Sequence, residues 1–181
     1  HPRLTRQGSK EARARGVRAQ MRLLGASLRP GDTLVEFASG DGWLSNAAAE
    51  VAGQVISIDI SDQRDLSEPP PANVHHVVYD GYQLDLPDAC ADVVFSYQFL
   101  EHLHPDDVAP HFAMAHRLLK PGGRYVFDSP HRYTGPHDIS RDFSETLDCF
   151  HFQEWTHREM RKRLRDFGFD PAWVVRFGRV W

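Results

Sequence analysis

One stretch, residues 34–47, constrains the fold more than any other part of this 181-residue chain. It opens with LVEF, a short apolar run around the acidic Glu36, which predicts a buried parallel strand. The Gly-Asp-Gly sequence at 40–42 then predicts a sharp turn, because glycine adopts backbone conformations that other residues avoid. From Trp43 onward the apolar residues have helical spacing. A strand, a glycine turn and a helix in this order are typical of the ligand-binding opening of a doubly wound α/β sheet.

The spacing of the glycines narrows the choice of ligand. Counted from Gly40, the third glycine position of the dinucleotide pattern G-x-G-x-x-G is Ser45, so that fingerprint is incomplete. No GxxxxGK[ST] sequence occurs, which excludes a P-loop. The pattern that remains is E-x-x-x-G-x-G, which begins at Glu36 and has Ala38 where a further glycine would stand.

The rest of the chain predicts further strands and two prominent helices. The second strand has Asp59 near its carboxyl end. The SDQRDLSEPPPAN sequence after it predicts no helix, because three consecutive prolines cannot lie inside one. A first helix is predicted over 10–28, and a capping box from Thr156 to Glu159 predicts the last one. The further strands are predicted at 55–60, 74–78, 92–97, 124–128 and 172–177.

The motif at Glu36 resembles motif I of class I S-adenosylmethionine-dependent methyltransferases, which usually reads E/D-x-G-x-G-x-G. Ala38 departs from the first glycine of that motif. The sequences LEHL at 100–103 and LLKPGGRYVFDSP at 118–130 resemble the same family, so the likeness covers about residues 32–130. The resemblance implies an α/β fold with a Rossmann-like, mostly parallel sheet of order 3-2-1-4-5 plus strand 6, with helices on both faces. The family normally adds a seventh strand as a hairpin with the sixth; we expect either that the chain is truncated after strand 6 or that the sheet has six strands here.

The same resemblance implies S-adenosyl-L-methionine as cofactor and indicates where it would bind. The two turn glycines would approach its methionyl-ribose portion, and Asp59 would accept hydrogen bonds from the ribose hydroxyls. Asp80 would hold the adenine amine, with Ile60 against the ring. The predicted cofactor-binding residues are Glu36, Ala38, Gly40, Asp41, Gly42, Asp59, Ile60, Asp80, Gly81 and Tyr97.

Two missing sequence motifs narrow the range of possible methyl acceptors. Neither Cys90 nor Cys149 follows a proline, which argues against a cysteine nucleophile for carbon methylation of pyrimidines. The place of the [DN]-P-P-[YF] motif, found in nitrogen methylation of nucleobases and amides, reads SYQF at 96–99. A small-molecule hydroxyl, amine or carboxylate remains as the predicted acceptor.

The polar segment 131–142 follows the fifth strand and is predicted to form part of the acceptor site. Neutral imidazole suits the removal of a hydroxyl proton, so His131 and His137 are the candidate catalytic bases, with a structural role in the loop as the alternative. His102 could be structural or could line the substrate site. Convergence of His131, His137, Asp138 and His151 on a metal is conceivable, but their spacing matches no zinc signature, and no metal is predicted.

Charge is unevenly distributed along the chain. Residues 1–30 hold eight Arg and Lys against one Glu, whereas 31–154 hold six against twenty-one acids. The basic ends are interpreted as solvated helix faces, including a basic N-terminal helix within 1–30 that covers the sheet or the cleft; a surface for an anionic partner is the alternative. Because the acidic middle surrounds the predicted cleft, we expect no nucleic-acid partner.

Length and composition predict one methyltransferase-like domain over residues 1–181. No run approaches the ~20 apolar residues that span a bilayer, and the start has no apolar signal segment. We therefore expect a cytoplasmic protein with reduced cysteines, processed or excised from something longer because it lacks an initiator Met. A degenerate fold that serves as a non-catalytic binding or scaffold module is the main alternative, and a nicotinamide oxidoreductase is a weaker one. Calorimetry with S-adenosylmethionine would distinguish a methyltransferase from these two alternatives.

Overall fold

Five parallel strands form the centre of the protein, in the order β3-β2-β1-β4-β5. The computed structural model describes residues 10–142 and 150–175. The mostly parallel sheet and its order confirm the predicted fold class. The strands are β1 (Thr33–Phe37), β2 (Gln54–Asp59), β3 (Val74–Val78), β4 (Ala91–Tyr97) and β5 (Leu119–Asp128).

Helices cover both faces of the sheet because side chains alternate along the buried strands. On β1, Leu34 packs with Leu24 on one face, whereas Val35 packs with Leu118 on the other. The first face is covered by α1 and α2, the second by α3, and α4 packs beyond α3. The helices are α1 (Lys10–Leu24), α2 (Trp43–Ala48), α3 (Pro105–Leu118) and α4 (His157–Asp166), with 3-10 turns at Leu100–His102 and Ile139–Asp142.

Several predicted boundaries shift. The first helix ends at Leu24 rather than at 28, although Leu28 stays buried in the core and its N–H still donates to the Leu24 carbonyl. Strand β5 begins at Leu119, before its Pro-Gly-Gly sequence, with a register shift against β4. No helix lies between β2 and β3, as the prolines predicted.

The predicted sixth strand is not seen where the structure can test it. Residues 172–175 have no regular secondary structure, and 176–177 lie outside the described residues. The predicted helix cap at Ser9 and the second cysteine, Cys149, also lie outside them, while Cys90 is a half-buried thiol. Across the described residues, no helix has both the length and the apolarity to span a membrane.

Candidate active site

The carboxyl ends of β1 and β2 are joined directly beside the glycine turn. The Gly40 N–H donates to Asp59 Oδ2 at 2.8 Å, and the Ser39 N–H donates to the Ile58 carbonyl at 3.1 Å. Gly40 and Gly42 have φ of +53° and +77°, a region that favours glycine. The turn predicted from the sequence is therefore formed, and it presents its backbone at the edge of the sheet where doubly wound folds bind ligands.

Ala38 adopts a left-handed backbone conformation, which a glycine would adopt without strain. Its φ is +54°, which costs an L-residue about 1–2 kcal/mol. The turn is therefore formed with an alanine at this position, at the expense of local strain.

Glu36 is buried inside β1, on the face that α2 covers. Its Oε2 accepts a short hydrogen bond from the Ser45 hydroxyl on α2. Burial raises the pKa of Glu36 to about 8, so the carboxyl is mainly protonated near neutral pH. The acidic residue of the motif therefore ties the strand to the helix that follows the turn.

The predicted adenine side lies at the ends of β2 and β3. Asp80 Oδ1 accepts the N–H groups of Gln83 at 2.7 Å and Tyr82 at 2.8 Å, and these hydrogen bonds lower the pKa of Asp80. Gly81, which lies between Asp80 and Tyr82 in the sequence, has a φ of +92°. Ile60 is 68% exposed, which leaves an apolar surface just after the carboxyl end of β2.

Helix α1 and the loop after β2 both contact the glycine turn. The Arg13 guanidinium lies 5.6 Å from the centre of the Trp43 ring, and its Nη1 lies 3.6 Å from Asp65 Oδ2. The Asp65 N–H in turn donates to the Asp41 carbonyl at 3.0 Å. The irregular loop thus packs against the turn without a helix of its own.

Beyond β4 the backbone is strained and fixed to β5. Gln98 has a φ of +48°, its N–H donates to the Asp128 carbonyl at 2.9 Å, and its side-chain amide donates to the Asp128 carboxylate. Tyr97, just before it, is 36% exposed, and burial raises the pKa of its phenol. The cofactor residue predicted on β4 therefore stands at the carboxyl edge of the sheet.

Glu154 organises the predicted acceptor segment, although nothing in the sequence pointed to it. The His137 Nδ1–H donates to its Oε2 at 2.9 Å. Its Oε1 accepts the Asp138 N–H at 2.9 Å and the His151 Nδ1–H at 3.0 Å. Burial opposes ionisation of Glu154, but these hydrogen bonds outweigh it and lower the pKa. His131 is separate from this group, since its ring packs against His157 at 4.6 Å.

A second network that the sequence did not reveal lies under the acceptor side. The Tyr125 hydroxyl contacts Ser96 Oγ at 2.8 Å and His111 Nε2 at 2.7 Å, which joins β5, β4 and α3. Burial lowers the pKa of His111 to about 3, so this imidazole is neutral over the physiological range. The tyrosine pKa is raised by burial.

Glu101 lies in the LEHL sequence after β4 and is fully buried. Its Oε2 accepts a hydrogen bond from the Ser129 hydroxyl at 3.2 Å, while its Oε1 has no hydrogen-bond partner among the described residues. Burial raises the pKa of this carboxyl.

The structure does not bring together the four residues that were considered as a metal site from the sequence, which are His131, His137, Asp138 and His151. Within 10–142 and 150–175, the sole acid and histidine group close enough to share an ion is Glu101, His102 and His151.

A parallel 3-2-1-4-5 sheet, with a glycine turn after β1 and an acid at the end of β2, defines a Rossmann-like protein built to bind a nucleotide-type cofactor. The chain matches the methyltransferase domain family over residues 35–127, which is more than half of its length. It belongs to the class I S-adenosylmethionine-dependent methyltransferases. This confirms the resemblance, and at the level of the family it confirms the predicted enzyme class and cofactor.

Relatives of known sequence agree with this assignment. A probable S-adenosylmethionine-dependent methyltransferase of Mycolicibacterium smegmatis is 30% identical over 143 residues, which are 77% of this chain and 52% of that protein. Malonyl-(acyl-carrier protein) O-methyltransferase of Serratia marcescens is 30% identical over 110 residues, or 60% of this chain and 42% of that protein. The chain spans about half the length of these curated relatives.

A solved structure shares the fold. The 1,6-didemethyltoxoflavin-N1-methyltransferase of Burkholderia thailandensis, crystallised with 1,6-didemethyltoxoflavin and S-adenosylhomocysteine, superposes with a TM-score of 0.64. The alignment covers 86% of this chain and 66% of that one at 23% identity. The assignments of individual cofactor and catalytic residues in the present chain stay predictions.

Proposed function

We propose that this protein transfers the methyl group of S-adenosylmethionine to an oxygen or nitrogen atom of a small-molecule acceptor. The hydrogen bond from Gly40 to Asp59 carries this proposal, because it places the glycine turn and a strand-end carboxylate side by side. Asp59 Oδ2 holds the turn and Oδ1 accepts the Ser61 N–H at 3.3 Å, and each oxygen retains a further lone pair that could accept from a ribose hydroxyl.

The cofactor supplies the reactive methyl group, so the protein has mainly to bind, orient and exclude water. Asp59 is proposed to orient the ribose, and the turn from Gly40 to Gly42 the methionyl portion. Asp80, kept ionised by its backbone hydrogen bonds, is proposed to accept from the adenine amine. Exposed Ile60 is proposed to pack on the ring.

The acceptor is proposed to bind beside residues 131–142. This region exposes apolar side chains, since Tyr133 is 69%, Ile139 58% and Phe152 53% accessible, which favours an acceptor with an apolar portion. The Serratia relative is named as an O-methyltransferase and the Burkholderia protein as an N-methyltransferase. Those names support an oxygen or nitrogen acceptor atom as the class to screen.

His137 is the better placed of the two candidate bases. Glu154 accepts from its Nδ1–H at 2.9 Å and thereby orients the imidazole, the arrangement expected of a general base and its orienting group. His131 remains a candidate for contact with the acceptor, although its ring packs against His157.

The test of cofactor binding is titration calorimetry with S-adenosylmethionine and S-adenosylhomocysteine. Asp59→Asn keeps one oxygen to accept from Gly40 but loses the second. Because a hydrogen bond to a charged group contributes about 1.5–3 kcal/mol, affinity should fall about 10–100-fold. Asp85→Asn, at an exposed loop position, is the matched control and should bind like wild type. Absence of binding by wild type would overturn the proposal and favour the non-catalytic module.

The acceptor is then sought by S-adenosylhomocysteine release with a panel of small hydroxyl, amine and carboxylate compounds. On a true acceptor, His137→Ala should lower turnover by about 10²–10⁴-fold and leave cofactor affinity intact, because a positioned base contributes on that scale. If both His137→Ala and His131→Ala keep full turnover, neither is the base and proximity alone accounts for the rate.

A further inference from the structure

Three side chains converge just beyond the carboxyl end of β4, on the acceptor side of the sheet. Glu101, His102 and His151 each offer one ligand atom, and these three atoms lie within 4.8 Å of one another. A hydrogen bond from the Phe152 N–H to the Glu101 carbonyl, 2.8 Å long, brings the two segments together. The cluster is therefore built by the fold from positions far apart in the sequence.

Both imidazoles are held in the orientation that metal ligands have. His102 Nδ1 lies 2.7 Å from the Phe150 carbonyl oxygen, which can only accept, so this nitrogen carries the proton. His151 Nδ1 likewise donates to the Glu154 carboxylate at 3.0 Å. In each neutral ring the lone pair is then on Nε2. Metal-binding histidines characteristically donate their other ring N–H to a carbonyl or carboxylate in this way.

One oxygen of the Glu101 carboxylate lacks a partner, and a bound cation would provide one. Glu101 Oε1 is buried without a hydrogen bond from any described residue, and it lies 4.0 Å from His102 Nε2. Burying an unpaired carboxylate oxygen is costly, and such groups call for an ion or a donor. A positive ion between the three ligand atoms would satisfy this oxygen.

We propose that Glu101, His102 and His151 bind a divalent transition-metal ion of the zinc type. Two imidazoles and one carboxylate suit zinc-like ions, whereas Mg²⁺ and Ca²⁺ prefer oxygen ligands alone. Bonds of about 2.0–2.2 Å require ligand atoms roughly 3–3.6 Å apart, so an ion would draw the three side chains together by up to about 1–2 Å. The His102 side chain is 46% exposed, which gives the ion a route from solvent.

Three protein ligands leave a fourth position open, as in catalytic rather than structural zinc sites. Glu154 joins the proposed ion to the acceptor segment, because the same carboxylate binds His151 and His137. An acceptor oxygen at the open position would have its pKa lowered by the ion, which would ease its deprotonation. This last step rests on the proposed methyl transfer, but metal binding itself does not.

The test titrates the chelator-treated full chain with Co²⁺ and follows the visible absorption band of low-symmetry cobalt, with Zn²⁺ competition giving the zinc affinity. Wild type should bind one equivalent. Glu101→Gln, His102→Ala and His151→Ala should each weaken binding by at least about 100-fold, and Glu154→Gln by about 10–100-fold because it removes an orienting partner. His75→Ala, at an exposed position on β3, is the matched histidine control and should behave as wild type.

Circular dichroism verifies that each variant is folded, and the exposed His102 provides a substitution that leaves the core intact. Failure of wild type to bind Co²⁺ or Zn²⁺, or equal affinities for wild type, His102→Ala and His151→Ala, would overturn the metal site. Neither result depends on cofactor binding or turnover, so failure of the metal site is distinguishable from failure of the methyltransferase proposal.

Discussion

Glu36 makes the stability of this fold depend on pH through one buried carboxyl. Its folded-state pKa is raised by burial from 4.5 to about 8, so the native state retains a proton that the unfolded chain releases. Its stabilising contribution is complete below the unfolded pKa and is lost as pH rises through the folded one.

We predict that Glu36→Gln flattens this dependence. An amide is neutral at every pH and can still accept from the Ser45 hydroxyl. In urea unfolding, the stability of wild type relative to the variant should therefore fall between about pH 5 and pH 9, by on the order of 4 kcal/mol. Other titrating groups occur in both proteins and cancel in the difference. Parallel stability curves for the two proteins would show that Glu36 is ionised in the native state.

At the residue scale, the turn after β1 was easier to predict from the sequence than the side-chain contacts of the segment after β5. Glu36, the two turn glycines and Asp59 could be found because each occupies a fixed place relative to a strand end. Glu154 could not, because its importance comes from partners in a segment distant along the chain. The Glu-His pair after β4 was identified as part of a family motif, with His102 structural or lining the substrate site, and its proximity to His151 was not predicted.

Among the elements, helix α4 offers a clean test of local sequence signals. Thr156 Oγ1 accepts the Glu159 N–H at 3.3 Å, and Glu159 Oε2 accepts the Thr156 N–H at 2.8 Å, which confirms the predicted capping box. The helix buries Leu164 in a cluster with Phe112 and Trp155. Its first turn therefore supports packing against α3.

We predict that Thr156→Ala lowers the free energy of unfolding by about 0.5–2 kcal/mol, the usual loss for a removed helix cap. Thr156→Ser retains the hydroxyl and should remain within a few tenths of a kcal/mol of wild type. Thermal and urea unfolding measure the stability of both variants against wild type. A Thr156→Ala protein as stable as wild type would mean that the cap contributes nothing measurable.

Element boundaries were less predictable than the elements themselves. The start of β5 at Leu119 depends on pairing with Ala91 of β4, a tertiary contact that overrides the helix-ending pattern of Leu-Lys-Pro-Gly-Gly. The absence of regular structure at 172–175 likewise depends on tertiary contacts and not on the local sequence. Val174 and Val175 favour a strand locally, but no paired strand accompanies them within the described residues.

For the whole molecule, the order of the sheet followed from the family resemblance once the strands were identified, since parallel strands joined by crossovers admit few arrangements. The sequence could not predict the tertiary contacts on the predicted acceptor side, where the segments around Glu101, His137 and His151 meet. Those contacts are side-chain hydrogen bonds to distant partners and leave no periodic pattern.

The overall charge distribution leads to a prediction about partners. Twenty-one of the twenty-five acids lie in 31–154, which contains the predicted cofactor-binding residues, so polyanions should be repelled there. In fluorescence anisotropy at about 150 mM salt, single-stranded RNA and DNA should bind no tighter than the non-specific range of about 10⁻⁴–10⁻⁶ M. Tight binding that weakens steeply with added salt would instead identify the basic ends as a nucleic-acid surface.

The Asp138 carboxylate has a consequence for how such a protein can change over evolution. Its Oδ2 accepts the N–H groups of both Phe150 and His151 at 2.8 Å, and its Oδ1 accepts that of Ser140 at 2.8 Å. These hydrogen bonds join residues 138–140 to residues 150–151 through backbone N–H groups, which every residue type except proline has. The connection therefore does not depend on which side chain stands at the exposed position 150. That position can change in the course of evolution while the hydrogen bonds that join the two segments remain.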